Sequence, residues 1–169
     1  MSLNFETNLT NIQQLASNKE KENDDFISYL KSFDGEYIDK QVHLLNEIVS
    51  PKIDCTLCGN CCKTLLINVQ EIEANNLAAH LEINRAIFDE QFIEKGSNGM
   101  MLIKTVPCSF LKDNKCTVYN FRFEGCKEFP AMHLPNFKDR LFTTFMHYNR
   151  CPIIYNIIEQ LKLVLNFKE

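Results

Sequence analysis

The sequence contains no tryptophan, no long apolar run and no block of like charges. Thirteen phenylalanines without a tryptophan predict a core built largely on phenyl rings. No stretch reaches the roughly 18 uncharged apolar residues of a membrane-spanning helix. The 18 Lys and Arg against 22 Asp and Glu give a net charge of -4, so the basic footprint of a nucleic-acid-binding protein is missing. We therefore expect neither a membrane protein nor a nucleic-acid-binding protein.

The N-terminal residues lack the basic start and the continuous apolar run of a signal peptide. We therefore expect a cytoplasmic protein, in which cellular reductants keep thiols reduced and disulfides are rare. The 169 residues, 45% apolar and 24% charged, are enough for one soluble domain with a hydrophobic core.

Cysteine is abundant and unevenly placed: none of the eight precedes residue 55, and four fall in the stretch CTLCGNCC at residues 55–62. Cys55, Cys58 and Cys61 recur at intervals of three residues. Two sulfurs in C-x2-C can reach one metal from a single tight turn, and Gly59 relieves the steric strain of that turn. In a reducing compartment this spacing predicts metal ligation.

The spacing of the cysteines bears on whether zinc or an iron–sulfur cluster is the expected centre. Tetrahedral zinc sites typically join two separate C-x2-C or H-x3-H pairs, and the sequence has no second such pair. Three cysteines in C-x2-C-x2-C with a distant fourth, such as Cys151 before Pro152, resemble the loop around a [4Fe–4S] cluster. We expect zinc or an iron–sulfur cluster, with [4Fe–4S] slightly favoured.

Cys61 and Cys62 are adjacent, so we expect their side chains to diverge and to face different partners. This expectation favours either two sites or one site plus thiols with another task. His133 and His147 could replace a thiol, but a structural role is favoured for both. The sequence does not say which thiols group together, and the expected metal ligands are therefore all eight cysteines: Cys55, Cys58, Cys61, Cys62, Cys108, Cys116, Cys126 and Cys151.

The motifs C-x2-C-x2-C-C, P-C-x-F-L, C-x-V-Y, R-x3-C and F-P follow in this order from about Ile53 to Pro152. This order resembles the YkgJ-type cysteine-cluster family, described as zinc- or iron-chelating. The resemblance implies metal chelation through these cysteines and no defined activity. Similar clusters are associated with flagellin lysine methylases, but the sequence shows no cofactor-binding domain of that kind. Where the family commonly has Arg-Pro, this chain has Arg122-Phe123.

The apolar pattern predicts a mostly helical α+β fold, a single domain with a few short strands or hairpins around the cysteine-rich metal site. We predict that residues 1–50 form an N-terminal helical arm packed on the core. Residues 51–169 are predicted to form the cysteine-cluster metal-binding domain, which ends in a C-terminal helix.

Local patterns within the second of these regions predict individual elements. One helix is expected at about 70–81. A second should begin at the N-cap Asn84 and end at the glycines at 96–99, and a third should cover 153–167. A hairpin is expected at 110–119 and a strand at 141–148.

Two functions follow from these residues. The first is a metal-binding protein whose activity is undefined; the alternative is an iron–sulfur oxidoreductase or electron carrier. A thiol oxidoreductase without metal would leave six cysteines unexplained. No catalytic residue is predicted, and it stays open whether the protein is an enzyme. The apolar stripes of the arm indicate an unknown protein partner or an oligomer contact, unless they pack on the chain's own helices, which we favour.

Overall fold

A computed structural model describes residues 4–168 of the chain. Helices dominate these residues, and the strands form two separate antiparallel pairs, so the predicted mostly helical α+β class is confirmed. None of the described helices is long and apolar enough to cross a membrane.

The described residues contain ten α-helices, namely α1 (Leu9–Asn18), α2 (Glu20–Lys31), α3 (Gly35–Val49), α4 (Cys55–Cys58), α5 (Asn60–Thr64), α6 (Glu71–His80), α7 (Arg85–Phe92), α8 (Glu124–Glu128), α9 (Leu141–Met146) and α10 (Pro152–Val164). The strands are β1 (Ile93–Lys95), β2 (Met101–Ile103), β3 (Leu111–Lys112) and β4 (Lys115–Cys116), and short 3-10 helices cover Ser50–Lys52, Tyr119–Phe121 and Phe137–Arg140.

Residue contacts divide the chain into two compact units. The first unit takes the described residues up to Asp54 and from Pro130 onward, and the second unit runs from Cys55 to Phe129. The expected division into an arm over residues 1–50 and a domain over residues 51–169 stays a prediction.

The first unit is built from α1–α3, α9 and α10. Asp34 begins α3 by accepting a hydrogen bond from the backbone N–H of Tyr37 (3.0 Å), which satisfies one of the free donors of the first turn. Helix α3 contacts α10, which is buried on nearly every side over its first seven residues. The apolar stripe of α3 therefore lies in the interior of this unit.

The strand predicted at residues 141–148 is wrong: Leu141–Met146 forms α9. Thr and Phe favour strands mainly through the packing they find there, and that preference yields to tertiary context. Here Leu141 and Thr144 are buried three residues apart, which is the spacing of one helix face. The Thr143 hydroxyl donates to the carbonyl of Arg140 (3.0 Å) within the first turn.

The second unit follows most of the predicted pattern. Helix α6 matches the helix expected at 70–81, and Asn84 caps α7 by accepting from the backbone N–H of Ala86 (2.8 Å). Helix α7 ends at Phe92, before the glycines at 96–99, because the next three residues pair with β2 as β1. The glycines lie in the turn of that hairpin.

The hairpin predicted at 110–119 is present as β3 and β4. Its two turn residues, Asp113 and Asn114, have φ angles of 50° and 63°. A two-residue hairpin turn with both residues in the left-handed region has a backbone twist that matches the twist of the two strands it joins. The turn places Cys116 on β4, directly after its first residue.

The core of the second unit contains buried rings of Phe88, Phe110 and Phe123. Phe110 lies 4.9 Å from Phe92 and 6.5 Å from Phe123, measured between ring centroids. Three cysteines, Cys108, Cys116 and Cys126, pack against this core at its edge.

Candidate metal centre

All eight cysteines are thiols, and none forms a disulfide. Seven lie in the second unit. The eighth, Cys151, lies in the first unit, where it is buried at the N-cap of α10 and its backbone N–H donates to the carbonyl of His147 (3.0 Å). Its expected role as a metal ligand stays a prediction.

The stretch at residues 55–62 forms two single-turn helices joined at one glycine. Cys55 and Cys58 lie on α4, Cys61 and Cys62 lie on α5, and Gly59 between them has a φ of 57°. The backbone N–H of Gly59 donates to the carbonyl of Cys55 (2.9 Å), which closes the first turn. A left-handed glycine is the ordinary means of ending one helix and reversing direction within one residue.

This stretch lies against the turn of the β3–β4 hairpin. A Cβ atom built on Gly59 would lie 3.1 Å from the carbonyl oxygen of Asn114 and 3.2 Å from its Cα. The close approach needs a glycine, and it brings the 55–62 stretch to the hairpin that carries Cys116.

Backbone hydrogen bonds link the next two cysteine-bearing segments. The N–H of Cys108 donates to the carbonyl of Cys62 (2.8 Å), and the N–H of Leu111 donates to the carbonyl of Cys108 (3.0 Å). Leu111 then pairs with Cys116 across the hairpin. A short chain of main-chain contacts thus connects three cysteines that are far apart in sequence.

The sulfurs of Cys108 and Cys116 accept backbone hydrogen bonds. The N–H of Phe110 donates to the thiol of Cys108, and the N–H of Val118 donates to the thiol of Cys116. In both cases the donor lies two residues after the cysteine. Burial is nevertheless the larger influence and raises the pKa of both thiols, while the N–H donors favour the thiolate.

Cys62 differs from its neighbours. A hydrogen bond with Cys61, whose sulfur lies 4.0 Å away, lowers the pKa of Cys62 to about 6. Burial opposes this shift, and the positive charges of Arg122 and Lys63 add to it. Its pKa is thus shifted in the opposite direction to those of Cys108 and Cys116.

Cys126 lies at the other extreme. Burial, followed by the nearby charges of Cys62, Cys108 and Cys116, raises the pKa of Cys126 to about 12, and Arg122 partly offsets the effect. Cys108, Cys116 and Cys126 also pack against one core, and the N–H of Cys108 donates to the carbonyl of Cys62, so these four thiols lie in one region of the second unit. We call Cys62, Cys108, Cys116 and Cys126 the four-thiol set.

Arg122 is a cation close to three members of the four-thiol set. It favours the thiolate at Cys62, Cys116 and Cys126. Its guanidinium carbon lies 4.0 Å from the ring centroid of Tyr119, a cation–π distance. The ring therefore helps to hold the charge near the sulfurs.

The donor chemistry of the set fits zinc or iron, which thiolates bind well, and does not fit hard ions such as Mg²⁺. Within residues 4–168, no group of three or more Cys, His, Asp or Glu side chains could hold a metal ion as it stands. The two histidines considered as alternative ligands, His133 and His147, lie in the first unit.

Two residues of this region, Lys63 and Glu73, have a role in the structure that was not predicted from the sequence. Lys63 follows Cys62 directly and adds a positive charge to it, but a single lysine after a cysteine is a weak signal. Glu73 accepts hydrogen bonds from the backbone of Gln70 and of Glu124. The spacing Q-x-x-E is typical of a capping box and predicts the first bond, but no sequence pattern predicts the second.

Residues 54–152, more than half of the chain, match a protein-family model named CxxCxxCC and described as "Putative zinc- or iron-chelating domain". The match confirms the resemblance to a zinc- or iron-chelating cysteine-cluster family. No curated protein and no solved structure matches the chain.

Proposed function

The chain belongs to the CxxCxxCC family of zinc- or iron-chelating domains, and we propose that it binds zinc or an iron–sulfur cluster through the four-thiol set. The observation that carries the proposal is the packing of Cys108, Cys116 and Cys126 against one core, together with the hydrogen bond from the N–H of Cys108 to the carbonyl of Cys62 (2.8 Å). These four thiols come from separate segments of one compact unit, and three of them pack at the edge of its core.

Burial disfavours charged sulfur at Cys108, Cys116 and Cys126, but other groups around the set favour it. Four thiolates around a divalent ion leave a net charge of -2, which a nearby guanidinium stabilises. The backbone donors at Cys108 and Cys116 act in the same direction, because they hydrogen-bond to sulfur. The aromatic core beside Cys108 and Cys126 limits the access of water to that edge.

A bound ion would tie the stretch at 55–62 to the β3–β4 hairpin and to α8. Structural zinc supplies about 10–16 kcal/mol to folding in small peptides near neutral pH. The main role of the centre would then be to fix the second unit in one conformation. An iron–sulfur oxidoreductase or electron carrier is the alternative. It would rest on cysteines outside the four-thiol set, because the C-x2-C-x2-C spacing of Cys55, Cys58 and Cys61 suits a [4Fe–4S] cluster.

The first experiment counts iron, sulfide and zinc per chain after purification without oxygen. Brown protein with broad visible absorption that bleaches on reduction supports the cluster, and colourless protein with one equivalent of zinc supports a zinc site. Wild-type protein that contains neither metal and takes up neither would refute the proposal.

The second experiment asks which thiols bind, using Co²⁺ as a probe in reduced, metal-free protein. Thiolate-to-cobalt absorption reports the number of sulfur ligands. We expect Cys126→Ser to lose about a quarter of that absorption and to bind more weakly. Cys151→Ser changes the cysteine of the first unit and should keep the full absorption. Equal losses in the two variants would show that the ligand set is different.

A further inference from the structure

The helix that carries Cys126 has no side-chain cap of its own. Helix α8 spans only five residues, Glu124–Glu128, and its N-cap residue, Phe123, has no hydroxyl, amide or carboxylate to offer. The first backbone N–H groups of a helix have no partner inside it and must find one elsewhere. The partner of the first N–H of α8, at Glu124, is the Oε1 atom of Glu73, at 2.5 Å.

The same carboxylate is engaged at a second helix start. Its other oxygen, Oε2, accepts from the backbone N–H of Gln70, the N-cap residue of α6, at 2.8 Å. One side chain thus bonds to the beginning of two helices, although Glu73 and Glu124 lie 51 residues apart in sequence. A carboxylate can accept at both oxygens at once, whereas a glutamine amide offers only one oxygen.

This bond bears directly on the position of Cys126. The cysteine comes two residues after Glu124, and its own N–H donates to the carbonyl of Phe123 (2.9 Å). Phe123 is only 3% exposed and is anchored in the core of the second unit. A single-turn helix has little stability of its own, so its place depends on this buried ring and on the bond from Glu73.

We infer that Glu73 is a positioning residue for the four-thiol set, because its carboxylate fixes the helix that carries Cys126, which packs against the same core as Cys108 and Cys116. The inference rests on the proposed function in one respect, the role of Cys126 as a ligand. It adds a residue that neither the cysteine motif nor the family description assigns.

The test compares Glu73→Ala and Glu73→Gln with Glu71→Gln. Glu71 lies in the same first helical turn and loses the same charge, but its carboxylate pairs with Arg85. In reduced, metal-free protein, the alkylation rate of each cysteine is measured by peptide mass spectrometry. Zinc affinity is measured by competition with a chromophoric chelator, and the melting temperature is recorded for each variant.

We expect Glu73→Ala to raise the alkylation rate of Cys126 several-fold relative to Cys108 and to weaken zinc binding by about tenfold, as is typical for residues that orient a ligand. Glu73→Gln should show a smaller change in the same direction, since one acceptor oxygen remains. Glu71→Gln should match the wild type in both measurements, even if its melting temperature falls.

A purely structural cap would behave differently, and three results would overturn the inference. These are unchanged zinc affinity in folded Glu73→Ala, equal effects of Glu71→Gln, or a rise in alkylation that is the same at Cys108 and Cys126. Wild-type protein that binds no metal would instead refute the proposed function. The alkylation pattern would then decide by itself whether Glu73 places Cys126.

Discussion

Replacing Gly59 with alanine probes the contact between the 55–62 stretch and the β3–β4 hairpin. The glycine has a φ of 57°, and an added Cβ would lie 3.1 Å from the carbonyl oxygen of Asn114. The atoms it meets include the oxygen and the Cα of the backbone, at the end of a two-residue turn. A backbone held in such a turn has less freedom to move aside than the tip of a long side chain.

The magnitude follows from two separate costs. An L-residue in the left-handed region costs roughly 1–2 kcal/mol relative to its ordinary conformation. Forcing an extra methyl group against well-packed atoms typically adds about 1–3 kcal/mol. Gly99 supplies the matched control in the same unit, since its φ is 80° and nothing lies within 4 Å of an added Cβ. Gly99→Ala therefore carries the first cost alone.

The free energy of unfolding is measured by urea denaturation with far-UV circular dichroism, on reduced, metal-free protein. We expect Gly59→Ala to lose about 2–5 kcal/mol and Gly99→Ala about 1–2 kcal/mol. Gly35→Ala, in a regular first helical turn with open space around it, should be neutral or slightly stabilising. A loss in Gly59→Ala no larger than that in Gly99→Ala would refute the contact with the hairpin.

Two further predictions concern charged groups. Arg122→Gln should weaken zinc binding by about tenfold in a chelator competition assay. Lys127→Gln should change zinc binding less than twofold, because Lys127 pairs with Glu124 (3.2 Å); equal losses would contradict a specific role for Arg122. In the first unit, burial alone would raise the pKa of Glu159, but hydrogen bonds, first among them that from Lys162, hold it below its ordinary value. The carboxylate thus stabilises the fold above the unfolded pKa of about 4.3 and loses that effect as the pH falls through the folded value. Glu159→Gln should therefore be less stable at pH 7 and lose less stability than the wild type on acidification from pH 5 to pH 3, as followed by urea denaturation; parallel losses would contradict this.

Local signals explain what the sequence could predict. Helical periodicity and the N-cap Asn84 are encoded within a few residues, and the corresponding helices are present. The strand predicted at 141–148 was wrong because Thr and Phe favour a strand only where a neighbouring strand exists to pair with it. Helix α7 was predicted too long because the pairing of β1 with β2 is a contact between residues up to ten positions apart.

In the candidate site, too, features that are local in sequence could be predicted and contacts between distant residues could not. The spacing of Cys55, Cys58 and Cys61 is a local feature, and it predicted metal chemistry in agreement with the family match. The grouping of thiols is not local, because it depends on bonds such as that from the N–H of Cys108 to the carbonyl of Cys62. The bond between Glu73 and Glu124 spans 51 residues and has no counterpart in any sequence pattern.

Contacts that do not involve the cysteine sulfurs hold together the segments that carry the four-thiol set. Gly59 rests on the turn at Asn114, and Glu73 holds the start of α8. Ordering a residue costs about 1–2 kcal/mol of backbone entropy, so a site whose segments are already joined loses less on binding than four free loops would. Within the described residues, no group of three or more Cys, His, Asp or Glu side chains is close enough to hold a metal ion. Binding an ion would therefore have to draw the sulfurs closer together. Substitutions at these two contacts should therefore affect metal binding although neither residue can bind the metal through sulfur.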